Sequence, residues 1–331
     1  MFKRTSILIA ILLVLSNFTA ATAEPIESLA GTLPASGDYG EVLMAIDEIG
    51  AMATSLTLYW DDLQREGEYA ADPDWPVIAQ AVYPPRQIRI QLTFAVIDTL
   101  ADRRPAEFRD LAWDDPRVSD GFAALVLEVF SRMPDVDLVS VAIGNEVDGY
   151  LADASLDEYG RFFERAREAV HSIRPNVPVT TKVTWSGLRD RPNLLELTER
   201  GDALSITWYP MDDKFHFSDP DVALRELSEM AEMANGPWEL SEVGYPSNGC
   251  GASSSEAQAR FHQGLSVAAG MQPNLQLVQR VWSHDISATE VAGYANYYQT
   301  NSICFSSFLS SLGLRTASDE HKPAFETLTE R

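Results

Sequence analysis

The sequence predicts an α/β protein, a single (β/α)8 barrel, and three observations carry that expectation. Short β-rich runs alternate with amphipathic helical stretches, the pattern of a parallel sheet with crossover helices. Eight such units in roughly 300 residues suit a closed barrel. An open doubly wound sheet usually announces itself with a glycine-rich turn after its first strand, and neither G-x-G-x-x-G nor G-x-x-x-x-G-K-S/T occurs.

The first 23 residues have the layout of a secretory signal peptide. Met1–Arg4 supplies a short positive start, residues 6–18 an apolar core, and Ala21-Thr22-Ala23 a small-x-small cleavage site. Unbroken apolar character runs only from Ile7 to Leu15, well short of the roughly 20 residues a spanning helix needs. Cleavage would leave residues 24–331 as one catalytic barrel, secreted or periplasmic.

Within that domain a first strand is expected somewhere in Ile26–Thr32, followed by a helix over Glu41–Gly50. The strand Ala53–Tyr59 precedes a helix Trp75–Val82, and the strand Gln87–Ile97 precedes a helix Val118–Met133. A strand Val136–Ile143 leads into the long helix Leu156–Ile173, with Ser155 as its N-cap and acids in its first turn. The second half repeats the rhythm. Strands are expected at Pro178–Trp185, Ala203–Tyr209, Trp238–Val243 and Leu275–Ser283. Helices are expected at Asn193–Arg200, Val222–Ala234, Ser255–Ala269 and Pro323–Thr329.

In such barrels the chemistry sits where strands end and βα loops begin. The fourth strand ends in Ile143-Gly144-Asn145-Glu146-Val147, and the seventh in Ser241-Glu242-Val243-Gly244-Tyr245-Pro246-Ser247. Each places a carboxylate at the barrel mouth. Paired carboxylates are what glycosidic bond cleavage requires, one holding a proton for the leaving oxygen and the other attacking or stabilising the oxocarbenium-like centre. Strand alternation puts Glu239 on the face opposite Glu242, which makes Glu239 a poor nucleophile candidate.

Asn-Glu after strand four, Glu after strand seven, the aromatic pair of strand six and the Trp of strand eight resemble the clan A retaining β-glycosidases. GNEV with SEVGYPS is most similar to the endo-β-1,3-glucanase (laminarinase-type) family and then to the endo-β-1,4-galactanase family. The resemblance covers about Ala53 to Ser283, and the two glutamate motifs lie 96 residues apart. It implies Glu146 as general acid and then base, and Glu242 as nucleophile. It further implies that Asn145 binds the sugar 2-hydroxyl, that Tyr209 holds the nucleophile ionised, and that Trp282 floors the subsite below the cleaved bond. Retention, which needs carboxyls about 5–5.5 Å apart rather than about 6.5–9.5 Å, also follows from the resemblance. Clan members commonly carry an Arg near the end of strand two. This chain reads Leu58-Tyr59-Trp60-Asp61, so support of the nucleophile is either missing or falls to another residue.

Other candidates ring the mouth. Tyr59, Trp60 and Trp185 stand at strand ends as possible sugar platforms, with core packing as the alternative. His284 follows Trp282 and is weighed equally between touching substrate and making a structural hydrogen bond. Residues 98–117 form a βα loop longer than the usual two to six, a groove wall or lid. Cys250 and Cys304 fall in the loops after strands seven and eight, and an even count in an exported protein makes a rim disulfide the expectation.

Charge narrows the partners. The chain carries a net −24, and removing Lys3 and Arg4 leaves 49 acidic against 23 basic residues. Nucleic acid and anionic membranes need a basic footprint and are not expected as partners; a neutral poly- or oligosaccharide is not repelled. A monomer is expected. No HExxH or comparable ligand spacing points to a metal, no cofactor is expected, and no Gly-x-Ser-x-Gly elbow supports a serine nucleophile. Two other classes compete. A non-catalytic glycan-binding barrel would have no reason to keep both carboxylates. A lyase or isomerase of phosphorylated metabolites would need phosphate-binding loops after strands seven and eight, which Gly244, Gly249 and Gly251 match only weakly.

Overall fold

The computed structural model describes residues 24–330, so the expected signal peptide lies outside the described residues. Eight βα units run through it. The strands are β1 (Ile26–Ala30), β2 (Ala53–Tyr59), β3 (Arg89–Asp98), β4 (Leu138–Asn145), β5, β6 (Leu204–Trp208), β7 (Trp238–Val243) and β8 (Leu275–Val281). Strand β5 is split by Thr181 into Val179–Thr180, which pairs with β4, and Lys182–Thr184, which pairs with β6. Neighbours follow the chain order and β8 pairs with β1, all in parallel. The sheet therefore closes into a barrel, with its weakest seam at the split strand.

The crossover helices are α1 (Tyr39–Glu48), α2 (Trp75–Val82), α3 (Pro116–Arg132), α4 (Leu156–Ile173), α5 (Asn193–Thr198), α6 (Glu226–Met233), α7 (Ser255–Gly270) and α8 (Pro323–Thr329). Several expected boundaries shift for local reasons. The third strand starts at Arg89 because Gln87 takes a left-handed conformation (φ 57°) after the turn Pro84–Arg86. The fifth strand stops at Thr184, whose hydroxyl accepts the Gly187 N–H and caps a short helix, Trp185–Asp190. The helix expected over Val222–Ala234 is two pieces, Pro220–Ala223 and α6. Ser155 precedes α4, but at φ −100°, ψ −7° its side chain makes no capping bond. Two helices in the segment after β8, Ala288–Tyr297 and Ile303–Leu309, have no counterpart in the sequence expectation.

Strand alternation separates two environments. Phe94 of β3 packs edge-on against Phe122 and Phe130 of α3, at 5.5 and 6.1 Å between ring centres. The apolar core thus lies between sheet and helices. A small apolar cluster of Ala53, Val139 and Leu277 stands apart from that core, and polar side chains inside the barrel converge on Glu239. Its carboxylate accepts hydrogen bonds from Ser205 (2.7 Å), Ser140 (2.8 Å), Thr180 (3.3 Å) and Gln91 (3.5 Å). Four donors satisfy a carboxyl that would otherwise be costly to bury.

This corrects the parity argument. Ile206 pairs with Leu240 while Thr207 pairs with Glu242, so Ser241 is an extra residue in β7. Such a bulge resets alternation, and Glu239 and Glu242 both face the barrel interior. Depth separates them instead. Glu239 pairs across from Ser205 and is closed off on the barrel floor, whereas Glu242 pairs across from Thr207 at the mouth.

Trp60 is a second correction. The chain turns into the short helix Trp60–Leu63 at the end of β2. Its indole is therefore carried into the helical layer, against Phe108, Phe122 and Phe162, with Nε1 donating to Gln64. It is fully buried and has no face to offer a ligand.

Cys250 and Cys304 form a disulfide with a Cα–Cα distance of 5.3 Å. It ties the loop after β7 to the helix Ile303–Leu309. Among the described residues no helix is long and apolar enough to cross a membrane.

Candidate active site

A cavity of ≈ 1020 Å³ opens at the C-terminal ends of the strands, and Asn145, Glu146, Tyr209, Glu242 and Trp282 all line it. Backbone conformation sets the first carboxylate. Gly144 has φ +84°, and a Cβ there would lie 2.4 Å from Val147 Cγ1 and 2.5 Å from the Tyr159 hydroxyl. Glu146 follows in the left-handed region (φ 46°, ψ 49°), which costs a non-glycine residue about 1–2 kcal/mol. The strain turns its side chain over the mouth rather than along the sheet, and strain of this kind clusters at functional sites.

The Glu146 carboxyl receives two hydroxyl donors, Thr207 at 2.7 Å and Thr99 at 2.9 Å. Burial pushes its pKa up to about 7, and the nearby Glu242 charge adds to the rise; the two threonine bonds pull the other way. Desolvation and a like charge both disfavour the ionised form. Glu146 therefore holds its proton up to neutral pH.

Glu242 has different company. Tyr209 donates its hydroxyl to Oε2 at 3.0 Å, and Lys182 Nζ lies 3.4 Å from Oε1. Lys182 is buried, at 1% exposure, while the Glu242 side chain keeps 23% open to the cavity. A buried ammonium needs an anionic partner, so the lysine and the carboxylate hold one another. This supplies, from β5, a cation that the end of strand two lacks. Burial and the Glu242 and Glu146 carboxylates drive the Tyr209 pKa well above the usual phenol range, so its hydroxyl remains a donor.

A third carboxyl completes the floor. Asn145 Nδ2 donates to Asp98 Oδ1 at 3.1 Å. Burial raises the Asp98 pKa, and the Asn145 bond partly opposes that. Asn145 lines the cavity beside Glu146, and its Oδ1 is buried without a partner. Arg103, from the long loop after β3, stacks over the Tyr59 ring at 4.5 Å and pairs with Asp61 at 2.9 Å. That loop therefore forms part of the cavity wall.

The remaining expected positions divide. Tyr59 and Trp185 line the cavity, although Trp185 is largely buried and its Nε1 donates to Glu226 at 2.6 Å. His284 does not reach the cavity. It is fully buried, with Nε2 2.8 Å from Asp319 and Nδ1 within 3.2 Å of the Thr32 carbonyl, so the structural reading of this residue is the right one. Lys182, Asp98, Thr99, Thr207, Tyr294, Tyr297 and Tyr298 were not singled out from the sequence. Lys182 and Thr207 carried one available signal, since each is a polar residue inside an otherwise buried strand.

No protein-family model matches the chain, and no curated protein matches it. Solved structures do. A GH5_18 protein from Streptomyces cattleya in complex with Manb1-4GlcNAc superposes with a TM-score of 0.71 at 17% identity, over 92% of this chain and 79% of that one. The exo-beta-1,4-mannosidase Op5Man5 from Opitutaceae bacterium strain TAV5 gives 0.68 at 18%, over 94% and 61%. A fungal beta-1,4-galactanase gives 0.65 at 14%, over 93% of this chain and 100% of that one. These similarities establish the (β/α)8 fold.

Proposed function

We propose that the chain is a retaining β-glycoside hydrolase, with Glu242 as nucleophile and Glu146 as general acid and then base. One observation carries the reading: two glutamates face one cavity from β4 and β7, Glu146 with its pKa raised by burial and Glu242 held by the Tyr209 hydroxyl and the Lys182 ammonium. A carboxyl with a raised pKa facing a second carboxylate across one cavity is the arrangement that acid and nucleophile need. The glycoside hydrolases among the structural neighbours agree with it.

In the first step Glu242 attacks the anomeric carbon. An ester bond forms as the bond to the leaving oxygen breaks, and the Glu146 proton goes to that oxygen. The Glu242 charge is then spent in the ester, so Glu146 is free to ionise and take a proton from water. That water attacks the anomeric carbon, Glu242 leaves as carboxylate, and net retention results. Asn145 hydrogen-bonds the sugar 2-hydroxyl, and Trp282 offers a flat face to the ring.

The substrate is a β-linked poly- or oligosaccharide. The GNEV and SEVGYPS motifs favour β-1,3-glucan, and the neighbours add β-1,4-mannosides and β-1,4-galactan. Incubation with these polymers, mixed-linkage β-glucan and xylan, with release of reducing ends as readout, tests the reading. Binding without release would establish a glycan-binding barrel instead.

Two further outcomes follow from the site. Because the acid must be protonated, kcat/KM falls as pH rises through about 7. The Thr207 bond favours the ionised form of Glu146, so Thr207→Val moves this basic limb to higher pH, and a limb that moved down would contradict the assignment. Lys182→Met removes the charge that orients Glu242 and lowers kcat by about 100-fold. KM changes little, and Lys182→Arg restores part of the rate. A KM effect alone would reduce the lysine to a substrate contact.

A further inference from the structure

The cavity has two unequal ends, and we infer that one is walled off, so that the enzyme cleaves glycans from the non-reducing end rather than within the chain. This rests on the hydrolase reading and names its mode of action.

The wall is the helix Ala288–Tyr297 in the segment after β8. Its N-terminus is fixed by a reciprocal pair, with Ser287 capping the Glu290 N–H and the Glu290 carboxylate accepting the Ser287 N–H. Its far end does not stay near β8. The Tyr297 hydroxyl donates to the Asp98 carbonyl and accepts from the Leu100 N–H, and the Tyr298 hydroxyl meets Thr99 at 3.3 Å. Asp98 to Leu100 is the end of β3, and β1 and β2 stand between β8 and β3 in the barrel. The helix therefore crosses the mouth above β1 and β2 and is anchored on the far side. Glu290, Gly293, Tyr294 and Tyr297 from it line the cavity, and the Tyr294 ring lies nearly parallel to Trp282, at 6.2 Å and 26°. The disulfide and the packing of Phe305 on Phe215 pin the continuation of the segment to the loops after β7 and β6.

At the opposite end the loops after β5 and β6 leave a gap. Ser186, Asp190, Asp212 and Asp213 line the cavity there and are exposed. The chemistry orients a glycan between the two ends. The sugar whose anomeric carbon meets Glu242 lies over Trp282, on the side of the cavity that Tyr59, Asp98 and Tyr294 line. The leaving group departs past Glu146 toward the open gap. A chain bound for internal cleavage would have to continue through the helix Ala288–Tyr297. Each turnover consumes one water and releases one short glycone bearing the new anomeric hydroxyl, and the polymer is shortened from one end.

The test uses oligosaccharides labelled at the reducing end, drawn from whichever polymer the mature wild-type protein hydrolyses. The expected result is a labelled series that shortens by one fixed step, with polymer viscosity nearly constant while reducing ends accumulate. Early labelled fragments of mixed length, with a collapse in viscosity, would overturn the inference while leaving the hydrolase reading intact. No reducing ends from any polymer in the panel would sink that reading, and the inference with it. In Tyr294→Ala/Tyr297→Ala the wall is opened, and internal cleavage should rise several-fold relative to wild type. Unchanged product sizes in a folded double variant would show that the helix does not set the mode.

Discussion

Glu242→Gln leaves a folded protein with kcat lowered on the order of 10⁴- to 10⁶-fold, the scale of loss seen when a covalent nucleophile is removed. The amide keeps the shape of the carboxylate and can still accept the Tyr209 hydroxyl, so the cavity should survive. What it lacks is the electron pair and charge needed to attack the anomeric carbon. Glu242→Ala is expected to be as inactive but also less stable. Both variants leave Lys182, buried at 1% exposure, without its anionic partner, a loss of about 3–5 kcal/mol when a buried pair is broken; the alanine also removes the acceptor of the Tyr209 hydroxyl and leaves a void. Steady-state kinetics with a thermal melt of each variant separates the two effects. Wild-type turnover in the glutamine variant would end the assignment.

Glu146→Ala tests the other half of the pair, and its signature is selective. For a glycan, whose leaving oxygen needs a proton, kcat should fall about 10²- to 10⁴-fold. For a dinitrophenyl glycoside the leaving oxygen departs unprotonated, so bond cleavage should be almost unaffected. Hydrolysis of the glycosyl–Glu242 ester then becomes limiting, because no base activates water, and a burst of released phenol should precede a slow steady state. The basic limb near pH 7 should disappear together with the group that produces it. Equal losses on both substrates would mean that Glu146 acts by shaping the cavity rather than by proton transfer.

Much of this site was legible because strand ends are legible. Runs such as ATSLTLY and WELSEV coincide with β2 and β7, and the C-terminal ends of such strands stand at the barrel mouth. Side-chain direction within and beyond the strands was harder to read. The bulge at Ser241 turned Glu239 inward, and nothing in the residue pattern announces an added residue. Trp60 stands one residue past β2, where a single helical turn aims it into the core. Lys182 was hidden inside a strand, and its role depends on a partner 60 residues away. The tyrosines of Ala288–Tyr297 belong to an insertion whose docking on β3 is a tertiary contact without a local signal.

The most direct test of the two-glutamate account is the stereochemistry of the first product. Proton NMR of a β-glycoside during hydrolysis, read before mutarotation scrambles the anomers, should show the β-anomer appearing first, with the α-anomer growing in later. Retention requires a covalent intermediate on Glu242 and a single acid/base at Glu146. An α-anomer appearing first would mean direct attack by water, with Glu242 as base rather than nucleophile, and would contradict the account at its centre.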